Sequence, residues 1–534
     1  MKQFNYFLLS FFLLLCTGSL LQAQQRYIDE VFTDVNVTYD VTYGVNATVL
    51  YFSVFGEAIP EELKMDVYEP AGDTLTERPL IVLAHTGNFL PQPNFCQVIG
   101  RRDEEFIVEM AMRLARMGYV VAVIDYRYGW NPVAQIQEER VYTLINAAYR
   151  GIQDLRTCFR FFRRDAAENG NTFGIDVNRF VAMGDGTGGY ITLAAAALDE
   201  YQEIILPKFT IDVNGVPVPM VLEAMNGDIN GTSVGVALPG TPFPMGDTLC
   251  YPNHVGYSSD FQLSVNFGGA MGDTSWIDEN TVPTISFHNP YDPFAPYMED
   301  ILVVPTTEDL IVEVQGSYTV QAKMHELGLD DVFATEDWID PYSTRANEVN
   351  DGFDGLFPVV YPFEINSLDD TVFVASPWHW WDPADWVDVY CDFEPTVDLA
   401  TQAALGDPSM TPERGMAYTD TLIAYFAPRA CLTLDLGCDL SDFITTSTNE
   451  LIKKDAVGLT ISPNPASDVV EFSTLAEHPM QDILLYNAQG RLVQSTFEIN
   501  NNRIKLNRGE LSPGIYIARI RFAEGVVAAK VVFK

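Results

Sequence analysis

Residues 173–198 constrain the fold of this chain more strongly than any other stretch. A short apolar run at 180–183 stops at Gly184, and good helix formers follow from position 190, so the order predicts a strand, a tight turn and a helix. Gly184 and Gly188 stand two residues before and two residues after Gly186, as the closure of a nucleophile elbow requires. We therefore expect the backbone of an elbow in which glycine occupies the place of the attacking serine.

The segments before this turn alternate between strand and helix patterns. Continuous apolar runs at 79–84 and 119–124 predict strands that are buried on both faces. Apolar residues at helical spacing in 106–117 and 144–162 predict two helices. The sequence therefore predicts an α/β fold, a doubly wound and mostly parallel sheet covered by helices on both faces.

Short motifs around these elements resemble the α/β-hydrolase fold, in its carboxylesterase-like branch, over residues from about 31 to 430. In chain order they are His85-Thr86-Gly87, the runs at 118–121, 125–127, 153–156 and 174–176, and the glycine-rich turn at 184–189. The resemblance is strongest up to Asp199. It implies a site built around the elbow, with nucleophile, acid and base following in that order along the chain.

The resemblance also implies which residues take the places of the acid and the base. Asp292 lies in a segment similar to the family's strand with the acidic triad member, and His379 follows a predicted final strand at 371–375. His325 falls in a helical run, and His478 lies in the tail. We expect His379 to be the base and Asp292 to orient it. A histidine packed beside tryptophans is the competing interpretation.

By the same resemblance, backbone N–H groups of Gly87 and Thr187 form the oxyanion hole, with Thr86 nearby. His85 is expected to hold this loop in place and to have no catalytic role. Backbone donors survive the loss of a nucleophile, because they belong to the main chain and not to the missing side chain.

Glycine at position 186 leaves the nucleophile unassigned. Thr187 could attack if the turn slipped by one residue, and Asp185 could act as nucleophile or base. However, with Thr187 as nucleophile Asp185 would stand at the tight flank of the turn, which a carboxylate does not suit. Asp185 is itself the residue before the elbow position, and that residue normally points away from the pocket. We therefore rank a ligand-binding pseudo-enzyme first, with an ester hydrolase that uses an atypical nucleophile as the alternative.

The expected ligand of the pseudo-enzyme is a small ester, a lipid or a polysaccharide, with Trp378, Trp380 and Trp381 as stacking surfaces. If the frame is otherwise intact, Gly186→Ser should create esterase activity that depends on His379 and Asp292.

The net charge of the chain limits the classes of partner that it can bind. With 31 Lys+Arg against 73 Asp+Glu the net charge is −42, which argues against nucleic acid and anionic membranes. An acidic insertion at 328–370 is predicted to cap the pocket. The acidic spacing at 350–355 does not match an EF-hand, so a solvated loop is favoured there over a metal site. No cofactor and no metal are predicted.

The first residues predict export. A basic start, an apolar run and Leu21-Gln22-Ala23 indicate a signal peptide at 1–23, and no later segment is long and apolar enough to span a bilayer. Cleavage of the signal peptide would remove Cys16 and leave six cysteines. Cys431 and Cys438 are the easiest of these to join in a disulfide. Cys158 falls inside a predicted helix, where a buried free thiol is expected.

The C-terminal part differs in composition and pattern from the part before it. Residues 24–434 form the predicted hydrolase-like domain, 435–455 are a polar linker, and 456–534 carry 8 Lys/Arg against 7 Asp/Glu in short strands between turns. These strands predict a small all-β sandwich.

This tail resembles the C-terminal sorting domain of the type IX (Por) secretion system. The resemblance implies contact with that secretion machinery in a Bacteroidetes-type bacterium, and a product that is secreted or attached to the outer cell surface. An adhesion or carbohydrate-binding sandwich is the alternative.

Overall fold

The computed structural model describes residues 24–303, 310–391, 394–445, 453–454, 456–487, 492–496, 499–509, 511–522 and 525–534. The expected signal peptide lies outside the described residues. The chain divides into two compact units, Met1–Glu336 with Asp340–Leu440, and Asp337–Ile339 with Ser441–Lys534. The main division, at residue 440, falls inside the predicted linker.

Eight strands form the central sheet of the first unit. They are β1 (Val35–Thr48), β2 (Ile59–Pro70), β3 (Arg78–Ala84), β4 (Val120–Ile124), β5 (Ile175–Asp185), β6 (Leu263–Phe267), β7 (Thr284–His288) and β8 (Leu356–Pro358). Their order in the sheet is β1-β2-β4-β3-β5-β6-β7-β8. β2 pairs antiparallel with β1 and β4, and every pair from β4 to β8 is parallel. The predicted mostly parallel sheet is confirmed.

Helices cover both faces of this sheet. The longest are α1 (Glu105–Met117), α2 (Gln137–Glu168), α3 (Thr187–Ala197), α4 (Ser317–Glu326) and α5 (Pro412–Thr433). Along β3, Leu80 and Val82 pack into one core with α2 and α3, while Ile81 and Leu83 pack into the other with α1 and α5. Successive side chains of a strand point to opposite faces, so a strand between two helical layers must be apolar throughout.

Shorter elements complete the first unit. The short helices are Phe52–Phe55, Gln92–Phe95, Tyr201–Ile204, Pro207–Phe209, Glu223–Asn226, Thr274–Trp276, Asp331–Ala334, Pro341–Asn347, Pro383–Trp386 and Leu399–Gly406. The short strands are Thr210–Val213, Val216–Pro219, Gly235–Val236, Thr248–Cys250, Ala270–Met271, Glu299–Val303, Leu310–Gly316, Glu364–Ile365, Thr371–Val372, Val389–Cys391 and Glu394–Val397. None of the helices in the described residues combines the length and the apolar character that crossing a bilayer requires.

The predicted cap at 328–370 is wrong. This segment supplies β8, the edge strand of the central sheet, and no residue of it lines the cavity beside the elbow. Thr371–Val372 pairs with Glu364–Ile365 and does not extend the central sheet, so the predicted final strand at 371–375 is also misplaced. The run Leu356–Pro358 is fully buried but only three residues long, too short to stand out in an acidic stretch.

Two disulfides link cysteines of the first unit. Cys431 is bonded to Cys438, the pair that the sequence made easiest to join, and Cys96 is bonded to Cys391. Cys158 is a buried free thiol in α2, as predicted.

The second unit is a strand-rich domain. One sheet contains Thr460–Ser462, Val469–Ser473 and Arg503–Asn507, and the other contains Leu492–Thr496, Asp482–Tyr486, Gly514–Phe522 and Gly525–Phe533. Val470 and Phe472 of the first sheet share one core with Ile483, Ala518 and Ile520 of the second. The short strands Asp337–Trp338 and Ile444–Thr445 also pair in this unit. The predicted sandwich is confirmed.

Candidate functional site

The predicted elbow is present at the end of β5. Gly186 stands between β5 and α3 with φ +49° and ψ −108°, a conformation that side-chain-bearing residues rarely adopt. A Cβ at Gly184 would lie 2.1 Å from the carbonyl oxygen of Gly188, and a Cβ at Gly188 would lie 2.1 Å from that of Ala84. Both flanking glycines are therefore needed for the close approach of three backbone segments.

The hydroxyl of Thr86 occupies the space that a side chain at position 186 would need. A Cβ placed on Gly186 would lie 2.3 Å from Thr86 Oγ1 and 2.9 Å from Thr86 Cβ. A serine at position 186 would bring its new side chain against Thr86, which counts against the expectation that Gly186→Ser alone creates a productive serine.

Thr86 also engages one of the expected oxyanion donors. The Thr187 N–H donates to Thr86 Oγ1 at 3.3 Å, and the Asn88 N–H donates to Thr187 Oγ1 at 2.8 Å. Gly87 is buried and does not line the cavity. The structure thus brings Thr86 and Thr187 together beside the elbow, but the Thr187 donor already has an acceptor within the protein.

His379 is paired with a different carboxylate from the one expected. Its Nε2 lies 2.9 Å from Asp185 Oδ2, and the Trp378 indole N–H donates to Asp185 Oδ1 at 2.9 Å. The prediction that Asp292 orients His379 is wrong in this structure, because Asp185, at the end of β5, fills that role. Burial lowers the pKa of His379, but the charge of Asp185 and its hydrogen bond outweigh burial and hold that pKa above its usual value.

Asp292 lies in a separate polar arrangement. Its Oδ1 accepts the N–H groups of Phe294 and Ala295, at 2.7 and 3.0 Å, and its Oδ2 is 3.6 Å from His288 Nε2. Burial raises the pKa of Asp292 to about 7, against the effect of the two backbone bonds. Burial also lowers the pKa of His288 to about 4, so this neutral imidazole provides no charge that would keep Asp292 ionised.

Glu104 belongs to the site and was missed in the sequence. It precedes α1 and is 1% exposed, and a ligand atom of Glu104 lies within 4.8 Å of ligand atoms of both Asp185 and His379. Burial raises the pKa of this carboxyl, although the charge of His379 opposes the effect. A single glutamate at the start of a helix is common, so only its position beside Asp185 marks it as unusual.

His85 contributes to the loop beside the elbow. The buried ring contacts the Thr86 carbonyl oxygen through Nδ1 and lies 3.0 Å from the Tyr128 hydroxyl through Nε2. These contacts agree with the structural role expected for His85.

A cavity of about 710 Å³ lies beside the elbow. Thr86, Gly186, Thr187, Asp292 and His379 all line it. Most of the remaining lining is apolar and comes largely from α2, α3 and the strands near them, including Leu144, Ile152, Ile191, Ala194, Val312 and Val314. Of the three tryptophans expected to stack on a ligand, Trp381 lines the cavity, whereas Trp378 is fully buried and bonded to Asp185.

Two family models match this sequence. Residues 65–215 match BD-FAE, an α/β-hydrolase esterase family, and they span the strands and helices that build the elbow. The first unit has the α/β-hydrolase fold. Residues 460–534 match the secretion system C-terminal sorting domain, so the tail of this hydrolase-fold protein directs export by type IX secretion to the cell surface or the extracellular space.

Solved structures similar to this chain include esterases. Thermogutta terrifontis esterase 2 phosphorylated by paraoxon is 17% identical, with a TM-score of 0.27, over 49% of this chain and 73% of the esterase. A truncated carbohydrate esterase from gut microbiota is 13% identical, with a TM-score of 0.29, over 56% of this chain and 86% of that one. No protein of curated function matches the sequence.

Proposed function

We propose that this exported hydrolase-fold protein is a pseudo-enzyme that binds an apolar ester or lipid in its cavity and has no serine-type esterase activity. The observation that carries the proposal is the pair Gly186 and Thr86: the nucleophile position has no side chain, and the Thr86 hydroxyl takes the space where one would lie. Losing the attacking group removes nearly all of a triad's contribution to catalysis, although some electrostatic stabilisation survives.

The positions of the acid and the base support the same conclusion. A triad works when its acid is ionised and bonded to the base. Here His379 is bonded to Asp185, and the raised pKa of Asp292 leaves that carboxyl substantially protonated at neutral pH. The acid and the base expected for a triad are therefore not bonded to each other, and the acid is not fully ionised.

The lining of the cavity supports an apolar ligand over a polysaccharide. Sugars need many hydroxyl partners, whereas the walls formed by α2 and α3 offer side chains such as Leu144, Ile152 and Ile191. A volume of about 710 Å³ is within the usual range for small-molecule sites. The polar atoms of Thr86 and the carboxyl of Asp292 would meet the ester or carboxyl group of such a ligand.

An active ester hydrolase with Thr187 or Asp185 as nucleophile is less well supported. The Thr187 hydroxyl already accepts the Asn88 N–H. Asp185 is fully buried, does not line the cavity and is bonded to both Trp378 and His379. A nucleophile must reach the substrate, and neither group is free to do so in this geometry.

Turnover and binding assays on the mature protein test the proposal. We expect no hydrolysis across short- and long-acyl esters, no phosphonate adduct, and saturable binding of a fluorescent long-chain fatty acid ester. Ala194→Phe, which fills the cavity from α3, should weaken that binding at least tenfold, whereas Ala417→Phe on the exposed side of α5 should leave it unchanged. Ester turnover with an adduct on Thr187 or Asp185 would establish the alternative instead.

A further inference from the structure

We infer that Glu104, Asp185 and His379 form a binding site for one divalent metal ion next to the elbow. Each residue offers one ligand atom, two carboxylate oxygens and one imidazole nitrogen, and these atoms lie within 4.8 Å of one another. Ligand atoms around a tetrahedral zinc ion are separated by roughly 3.3 Å, so small side-chain movements bring the three to coordinating distance. This metal site was not expected from the sequence, which predicted no metal.

A second observation points to a cation at this place. Glu104 Oε2 accepts the N–H groups of Gly100 and Arg101, whereas Oε1 is buried and has no hydrogen-bond partner among the described residues. Leaving a buried carboxylate oxygen unsatisfied is costly, and such atoms in folded proteins usually contact a donor or an ion. A metal ion shared with Asp185 and His379 would satisfy it.

Hydrogen bonds within the protein already hold the carboxylate oxygens of Asp185 and Glu104 that would not bind the metal. Asp185 Oδ1 accepts the Trp378 indole N–H, which leaves Oδ2 directed to His379, and the backbone at Gly100 and Arg101 holds Glu104 Oε2. Bonds of this kind orient metal ligands in known sites and raise their affinity. The three residues also come from three separate segments, so a bound ion would join the start of α1, the end of β5 and the turn at His379.

Charge and ligand type select the class of metal. Two carboxylates and a neutral imidazole carry a charge of −2, which a divalent cation neutralises. An imidazole ligand favours zinc and similar transition ions over magnesium and calcium, which prefer oxygen. Glu104 and Asp185 do not line the cavity, so the ion would brace the elbow from its buried side and would not contact the apolar ligand.

Metal binding at this site is coupled to a proton. In the metal-free protein His379 Nε2 and Asp185 Oδ2 are 2.9 Å apart, which is within hydrogen-bonding distance. To bind metal, the imidazolium releases the Nε2 proton to solvent and keeps the proton on Nδ1, so that Nε2 can donate its electron pair to the ion. Affinity should therefore rise with pH.

Titration of the mature full chain tests the inference. After treatment with a chelator, the folded protein should retain one equivalent of Zn²⁺ or Co²⁺ through gel filtration in excess Mg²⁺, with a visible Co²⁺ spectrum typical of mixed nitrogen and oxygen ligands. Retention should fall as the pH is lowered. A folded wild-type protein that retains no stoichiometric Zn²⁺ or Co²⁺ would overturn the inference.

Matched variants locate the ion. Glu104→Gln and His379→Gln should each weaken Zn²⁺ binding at least tenfold, while Glu105→Gln, which alters the adjacent and more exposed carboxylate, should bind like wild type. Circular dichroism checks that each variant is folded, and Asp185→Asn replaces any variant that is not. Unchanged affinity in a folded Glu104→Gln protein would place the ion elsewhere and contradict the inference.

Discussion

At position 186 the absence of a side chain is what allows Thr86 to lie so close to the turn. Glycine leaves a space beside the turn, and the Thr86 hydroxyl fills it and accepts the Thr187 N–H. Two positions on different loops therefore lack the arrangement that a serine nucleophile needs. Restoring a serine at one of them should not restore the chemistry.

We expect Gly186→Ser to remain inactive and Thr86→Gly combined with Gly186→Ser to gain esterase activity. Both variants carry a backbone strain of about 1–3 kcal/mol at position 186, but only the single variant brings its Cβ against Thr86. The double variant has room for the hydroxyl and frees the Thr187 N–H. One oxyanion donor is worth on the order of 10²-fold in rate, so the gain should be measurable with short-acyl nitrophenyl esters.

Thr86→Gly alone is the control for this pair, and it should show no gain because it adds no nucleophile. Equal activity of the single and double variants would show that Thr86 does not obstruct the site. A gain that survives His379→Ala would exclude His379 as the base.

Asp292 should make stability depend on pH near neutrality. Its pKa is raised from 3.8 to about 7 by burial, so the folded state holds this proton more tightly than the unfolded state. That stabilisation is complete below the unfolded pKa and is lost as the pH rises through about 7. The wild type therefore loses this contribution as the pH rises, and Asp292→Asn does not. The unfolding free energy of Asp292→Asn minus that of the wild type should increase by about 2 kcal/mol when the pH is raised from about 5 to about 8.

Chemical denaturation of variant and wild type at the two ends of this pH range measures the difference. Asp273→Asn is the matched control. Burial tends to raise the pKa of Asp273, but the bonds from Lys208 and Ser275 outweigh it and lower that pKa. The contribution of Asp273 is then lost only as the pH falls below that range, so the cost of Asp273→Asn should be constant from about pH 5 to pH 8. A constant difference for Asp292→Asn as well would contradict a raised pKa.

At the scale of elements, the elbow is a contact between the backbones of β3, β5 and α3. The carbonyl oxygen of Ala84 in β3 lies 2.1 Å from the position that a Cβ on Gly188 would take, and the carbonyl oxygen of Gly188 in α3 lies 2.1 Å from that of a Cβ on Gly184 in β5. Backbone atoms in a central sheet cannot move aside as a flexible side chain can. The helix is thus held against the sheet at a distance that only glycine permits.

Gly188→Ala should destabilise the first unit by about 1–3 kcal/mol or more, because its methyl group would overlap the Ala84 backbone. Gly406→Ala is the comparison: it ends a short helix and has no atom within 4 Å of the added Cβ, so it should be neutral or stabilising by up to about 1 kcal/mol. Urea denaturation measures both. Similar costs for the two substitutions would show that the close approach at Gly188 is not rigid.

At the scale of the whole molecule, the proposed ligand binding and the export belong to two different units. The first has the α/β-hydrolase fold and contains the cavity, and the second matches a sorting domain over residues 460–534. Each has its own buried core. Domains with separate cores can in general fold alone, so the functions of the two units should be separable by truncation.

Deleting Leu459 to Lys534 should leave the first unit folded and retained in the periplasm. The deletion removes the core of the sorting domain but none of the central sheet or the cavity lining. Cell fractionation beside the full-length chain measures location, and limited proteolysis measures folding. Truncated protein in the medium or on the cell surface would show that export does not require the tail.

Local sequence alone was enough to predict much of the architecture. The apolar runs of β3 and β4, the periodic helices, the glycine-flanked turn at Gly186 and the short strands of the tail are all patterns within a few residues of one another. Such patterns reflect the geometry of one element and the burial of its faces, so they can be recognised without knowing what packs against them.

The tertiary structure alone decided the chemistry of the site. Thr86 is 100 positions from Gly186, Asp185 is 194 from His379, and Glu104 is 81 from Asp185, so no local pattern reports their contacts. The short run Leu356–Pro358 likewise becomes a strand only because β7 offers it an edge. Hydrogen bonds, steric overlap and pKa shifts depend on distances of a few ångströms between residues far apart in the chain, and only the folded chain determines those distances.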